Sequence, residues 1–362
     1  MGRHDGQLLK LEDRMRRSNV PGIGVAVIRD GYVEWSESWG VLEAGGLRPI
    51  DEDSLFHACS MSKMVTAIGV LRLVQDGLLD AESDVNRFLT SWRVPDNAYT
   101  NQEKVTVASL LAHHAGIVDP DGSFDVHNGE DDLPSPKQLL SGHTAYNSDP
   151  VEIRQVPNSR FSYSDAGYTV LEQLIEDITG ESFSCAMNSL VIEPLGLKRT
   201  LFWDGQTVDG DYINARFMEN VAAGHDKNGC LVKGKKWHYP NLSGAGLWTT
   251  PAEFAALTLE IIRAWEGSVA SILRPDLARS MLTSYGPAPG VGLGVFLPDA
   301  AGTPCFFSQG WGVGYQCKMV SFPSLKSGIV VMMNAEPGKH QDESLVGEVI
   351  REVSKVYDWP II

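Results

Sequence analysis

The chain has 362 residues, 43% of them hydrophobic, and its 30 basic and 46 acidic side chains leave a formal charge of −16. That length suggests about two domains with room for a buried core, and the acidic balance speaks against nucleic-acid or anionic-lipid partners. No apolar run approaches the roughly 20 residues of a membrane helix.

The opening residues Met1 to Gln7 lack the charged-then-apolar order of a signal peptide, so a cytoplasmic protein is the default expectation unless a leader has been trimmed away. Residues 8–17 read as a helix, with Leu8, Leu9, Leu11 and Met15 set among charges. Val20 to Gly31 reads as a buried strand ending in Asp-Gly, and Tyr32 to Gly40 alternates like its partner. Together they predict a β-hairpin on a short turn.

His57 to Ala67 opens an amphipathic helix, on which Met64, Ile68, Leu71 and Val74 recur at three- and four-residue steps. Another helix begins in Val105 to Gly116, and a Gly/Asp/Pro-rich acidic loop fills the stretch between Val118 and Lys137, either solvated or shaping a cleft. Helices resume over Gly167 to Thr179 and near Ser182 to Val191, and Pro251 to Trp265 forms one with Pro in its first turn. Short β runs follow at Gly292–Leu297, Cys305–Ser308, Tyr315–Val320 and Gly328–Met333, then a last helix over Ser344–Val356.

With β structure at both ends and helices between, the expected fold is α+β. Residues 1–59 and 242–362 would build one antiparallel sheet flanked by N- and C-terminal helices, and 60–241 would form an inserted, mostly helical domain. The cleft is expected at their junction, where the Ser60 helix starts.

Three stretches carry candidate chemistry. Ser60 and Lys63 are three residues apart at a helix start, so hydroxyl and amine share a face, as a serine nucleophile and its proton acceptor require. A helix N-terminus also disfavours an ammonium. An isolated S-x-x-K is more often a capping serine before a solvated lysine. Pro157 to Tyr168 holds Tyr163, a hydroxyl that can give or take a proton, and Ser164 or Asp165 to cap the helix behind it. Phe307 to Tyr315 is a glycine-rich strand segment against which an acyl group could lie, with a backbone N–H there and that of Ser60 forming an oxyanion hole; it also reads as a plain hairpin. The cysteines Cys59, Cys185, Cys230, Cys305 and Cys317 are scattered without a C-x-x-C pair, which argues against a disulfide framework or zinc site. Cys59 reads as a buried structural thiol.

Taken together, these stretches resemble the serine beta-lactamase and penicillin-binding-protein-like hydrolases: class C beta-lactamases, D,D-peptidases, D-aminopeptidases and related esterases. Ser60-Met61-Ser62-Lys63 matches the family's S-x-x-K, and Val20-Pro21-Gly22 with its hairpin looks like the family's start. Leu110 to Gly116 is similar to L-L-x-H-x-x-G, which makes His113 and His114 structural. Tyr163-Ser164-Asp165 stands at Y-x-N, Gly244 to Thr250 at A-G-G-L-x-S-T, and Ser308-Gln309-Gly310 at K-T-G or H-x-G. The resemblance covers nearly the whole chain. It implies a beta-lactamase/D,D-peptidase-like fold and an acyl-enzyme on Ser60. Lys63 and Tyr163 would shuttle the proton, and the N–H groups of Ser60 and Trp311 would hold the oxyanion, with no metal or other cofactor.

Two motifs depart from that pattern. Asp165 replaces the usual Asn and would raise the Lys63 pKa, leaving more of the proton transfer to Tyr163 or pointing at an amine-bearing substrate. Ser308 stands where relatives place the Lys or His that faces a substrate carboxylate, a charge-assisted contact worth about 1.5–3 kcal/mol. The expected substrate is therefore a neutral ester or amide, bound by Asp165, Ser308, Gln309 and Gly310 and lined by Trp311, Trp248 and Phe307. A D-amino-acid peptidase or beta-lactamase shares the chemistry, and a catalytically silent binding homologue is the reading from another class. The oligomeric state stays open.

Overall fold

The computed structural model describes residues 10–119, 126, 133–203, 219–233, 239–269, 271–300 and 302–360. The start of the first helix and most of the acidic loop lie outside them. β1 (Gly22–Arg29) and β2 (Tyr32–Gly40) pair antiparallel. They turn through Asp30 and Gly31, with φ of 51° and 83°, the positive pair that a tight twisted hairpin needs. From the other end of the chain come β6 (Phe306–Gly312), β7 (Tyr315–Phe322) and β8 (Ser327–Met333). They complete one antiparallel sheet in the order β2-β1-β8-β7-β6, with β1 joined to β8 from Ile23↔Met333 to Ile28↔Gly328.

The alternation along β1 and β8 assigns the sheet's two faces. Val25, Val27, Ile329 and Val331 pack with Leu11 and Met15 of α1 (Leu11–Arg17) and with Val349 and Val353 of the C-terminal helix Leu345–Val356. Ala26, Ile28, Val330 and Met332 face inward, in one apolar cluster with Phe254, Leu257 and Ile261 of the helix Pro251–Glu266. That cluster runs without interruption into α2 (Ser62–Gln75), α3 (Val107–Leu111), α4 (Pro136–Ser141), α5 (Asp165–Thr179) and α6 (Phe183–Met187). The fold is α+β, with terminal helices on one face of the sheet and the helical block on the other. A second, three-stranded sheet of β3 (Phe56–His57), β4 (Leu201–Phe202) and β5 (Leu247–Thr249), ordered β3-β5-β4, ties the middle of the chain to both ends. No helix among the described residues is long and apolar enough to cross a membrane.

Three local expectations change. α2 is not one-faced: every residue from Ser62 to Leu71 is buried, because the sheet-side layer and the helical block enclose it. Gly292–Leu297 is not a strand, since Gly290 and Gly294 take φ of 85° and 80°, outside the extended range; only the single bridges Val291↔Phe296 and Phe296↔Phe307 form. The Val105–Gly116 helix shrinks to α3, capped reciprocally by Thr106 and Ser109 and followed by His113 at φ 58°. An Ile68→Ala substitution empties a fully enclosed position on α2. It should cost about 2–5 kcal/mol, read as a lower urea midpoint with an unchanged slope.

Candidate active site

Ser60 is delivered by a tight sequence of turns. The amide of Ala58 donates to the carbonyl of Leu247 at 2.9 Å, Cys59 takes φ 48°, and a single 3₁₀ turn, Cys59–Met61, leads into α2. Ser62 locks that turn, donating its hydroxyl to the Cys59 carbonyl (2.6 Å) and accepting from the Leu247 amide (3.0 Å). Ser60 is left half-buried at the cleft floor, one helical turn before Lys63.

Lys63 is 3% exposed, and its ammonium reaches three acceptors: Asp165 Oδ1 at 2.6 Å, the Gly244 carbonyl at 2.9 Å and Ser60 Oγ at 3.2 Å. An ammonium has three protons, and all three are used. Burial pulls its pKa down, but the Asp165 charge, with Tyr163, more than reverses that, and Lys63 is held above its ordinary value. The expected push from the helix end loses to the carboxylate. At rest Lys63 is a charged donor to Ser60, not a free base.

The Tyr163 ring is 38% exposed at the cleft mouth, while its hydroxyl turns inward to the Ser60 and Lys63 side chains. Burial of that hydroxyl raises its pKa, and the Lys63 charge offsets only part of the rise. The ring stacks on His113 at 4.4 Å. His113 is held neutral, its pKa pulled well below 6.5 by burial and then by Lys63. Its Nδ1 accepts from the Ser164 amide at 3.1 Å, so the ring proton sits on Nε2. His113 thus braces the Tyr163 motif from behind.

Asp165 opens α5, capped by the hydroxyl of Ser164 on the Gly167 amide (2.9 Å). Behind it lies a group that the sequence reading missed. Asp119 accepts from the Ser164 hydroxyl (2.5 Å) and from the amides of Asp165 (2.7 Å) and Ala166 (3.1 Å). Its only sequence signal is membership of an acidic loop, which does not single it out.

On the far wall, β6 carries Ser308 and Gln309 into the same cleft as Ser60, Lys63 and Tyr163, with apolar sides from Leu111, Val291, Val295 and Phe296. Phe307 exchanges both backbone bonds with Phe296 (2.9 and 3.0 Å) on the edge away from β7; two-residue alternation directs the Trp311 N–H to that same open edge. The Trp311 side chain, 42% exposed, donates to Glu336 at 3.1 Å. Phe307 stacks on Phe296 at 5.1 Å. Gly310 does lie at a close approach, but to protein: a Cβ there would sit 2.3 Å from the Ala58 carbonyl and 2.9 Å from Cys59 Cβ. Trp248 does not reach the cleft. It is 1% exposed, edge-on to His57 at 4.8 Å in an apolar cluster with Leu55, Cys59 and Tyr315, and it supports the Ser60 turn from below. Cys59 is buried, as its position suggests. Among the described residues, Lys63 is the one cation lining the cleft.

The family described as Beta-lactamase matches residues 10–350, nearly the whole chain. The chain belongs to the beta-lactamase family. Esterase EstB of Burkholderia gladioli is 28% identical over 318 residues, which span 81% of this chain and 80% of that protein. Protein flp of Staphylococcus aureus (strain MRSA252) is 22% identical over 256 residues, 70% of this chain, and the match spans just 46% of flp. Among solved structures, the D-amino acid amidase from Ochrobactrum anthropi SV3, complexed with L-phenylalanine amide, superposes with a TM-score of 0.74 at 20% identity, over 99% of this chain and 98% of that one. At that identity the likeness concerns the fold.

In this beta-lactamase-family chain, contact between β6 and the Ser60 turn therefore depends on a missing Cβ. Gly310→Ala should push the strand off Ala58, lowering kcat on any turned-over ester by an order of magnitude or more while the protein still melts cooperatively. Steady-state kinetics beside a thermal melt would check it; an unchanged kcat would show that the strand can shift freely.

Proposed function

We propose that this protein hydrolyses uncharged carboxylic esters or amides through an acyl-enzyme on Ser60. Ser60 Oγ attacks the carbonyl carbon, and the N–H groups of Ser60 and Trp311 receive the oxyanion. Tyr163, kept neutral by burial, takes the Ser60 proton as it hands its own to the leaving oxygen or nitrogen. Lys63 stays an ammonium and stabilises the negative charge that builds between them. Water then cleaves the ester on Ser60 by the reverse relay. The observation that carries the substrate reading is the charge inventory of the cleft: among the described residues its one lining cation already meets three acceptors, and Ser308 brings none. A substrate carboxylate would enter beside Asp165 without a partner, which costs more than a neutral group would. The match to an esterase over 81% of the chain supports the same choice.

A fluorophosphonate probe should label the wild type and not Ser60→Ala. Short-chain p-nitrophenyl esters should be turned over with nitrocefin poorly used. Efficient nitrocefin turnover would overturn the substrate reading and favour a beta-lactamase. Absence of both labelling and turnover would leave a silent binding homologue.

Asp165 raises the pKa of both Lys63 and Tyr163, and the relay needs both protonated. Asp165→Asn should therefore move the final alkaline loss of kcat/KM to lower pH. A profile superimposable on the wild type would remove Asp165 from the mechanism.

A further inference from the structure

One buried acid beside the site has no task in that reaction. Glu172, two turns beyond Asp165 on α5, is 2% exposed. Its Oε2 accepts from the Ser243 amide at 2.8 Å, and the Ser243 hydroxyl donates to the Tyr168 carbonyl at 2.9 Å, one turn back on the same helix. The short turn Leu242–Ala245 is gripped from its other side by Thr66, whose hydroxyl donates to the Ser243 carbonyl at 2.9 Å. The next carbonyl along, that of Gly244, is the one on Lys63. Each of the two fixed anchors of the lysine thus has an acid behind it: half-buried Asp119 behind Asp165, and buried Glu172 behind Gly244.

Burial pushes the Glu172 carboxyl up to about 8, with hydrogen bonds from Ser243 and the Leu242 amide opposing and the Glu176 charge adding to the rise. Few charges face it. Glu176 lies one turn along its own helix, and Lys63 comes from α2 across the Ser243–Gly244 peptide. The neutral phenol of Tyr168 is one turn back. α3 and the Leu242–Ala245 turn bring no charged side chain, α4 offers the exposed Lys137, and α6 the exposed thiol of Cys185.

We propose that Glu172 is a positioning residue for Lys63: by accepting from the Ser243 amide it holds the Leu242–Ala245 turn so that the Gly244 carbonyl stays on the ammonium. A second negative charge at Glu172 would sit behind that same peptide and compete for the ammonium. The inference rests on the Ser60 reading for its effect on rate, but not for its effect on stability. Because folding raises this carboxyl above the 4.5 of an ordinary Glu, its contribution is complete below about pH 4.5 and is lost as pH climbs through about 8.

The test uses p-nitrophenyl acetate from about pH 5 to about pH 10 with wild type, Glu172→Gln and Glu172→Ala, and thermal melts of each across the same range. Wild-type kcat should drop about two- to fivefold in a step centred near pH 8, with KM steady. Glu172→Gln, which keeps the acceptor, should hold kcat within about twofold at pH 6 and lose the step; Glu172→Ala should lose about tenfold in kcat at every pH with KM little changed. Independently of turnover, the Tm of the wild type should fall relative to Glu172→Gln as pH rises from about 5 to about 8. A step that persists in Glu172→Gln, full kcat in Glu172→Ala, or a Tm difference flat in pH would overturn the proposal. If even the wild type neither turns over an ester nor takes a fluorophosphonate, the Ser60 reading is what fails, and the melting comparison alone decides the case of Glu172.

Discussion

A lysine ammonium removed from water must find a partner for each of its protons, and the site is built around that demand. Leaving one proton unpaired in a low-dielectric interior costs kilocalories, and removing the counter-charge costs more. Lys63 meets it with a carboxylate, a backbone carbonyl and a hydroxyl drawn from three separate parts of the chain. α5, the Leu242–Ala245 turn and the Ser60 turn must therefore converge to within hydrogen-bonding distance of one nitrogen. The apolar cluster that surrounds α2 supplies the rigidity for this, and the satisfied ammonium in turn fixes the serine hydroxyl beside Tyr163.

The same constraint explains how the two departures from the family pattern fit together. Asp165 strengthens the grip on Lys63 and makes it a permanent charge. Such a charge is of little use as a base and is already neutralised as an anchor for a second carboxylate. Among the described residues, Ser308 leaves the opposite wall without a replacement cation. Under the proposed reading, attack by Ser60 is retained while the cation that would select an anionic substrate is missing from the described residues.

Much of this was legible in the sequence because it depends on short spacings and on patterns with a period. Ser60 and Lys63 meet because three residues are about one helical turn, and β1 and β8 read as strands because both their faces are buried and apolar. Asp119 and Glu172 were not legible: each is one acid among 46, and only the packing of distant segments shows that both stand behind the lysine. Trp248 misled for the opposite reason. It lies within a recognisable motif, yet β5 turns it into the apolar cluster under Cys59. The apolar Gly292–Leu297 segment reads as a strand, but the left-handed Gly294 within it and Gly290 before it break extension and leave those residues as a wall of the cleft.

The pairing of β1 with β8 has a consequence for synthesis. The hairpin made first must wait for strands some 300 residues later in the chain, with Ile23 meeting Met333. Such remote closure is slow and exposes unpaired edges until it is complete. Before β6 and β8 emerge, Ser60 has no opposing wall from Ser308 and Gln309, and the cleft stands open on that side. The topology leaves the cleft incomplete until β6 to β8 have been made.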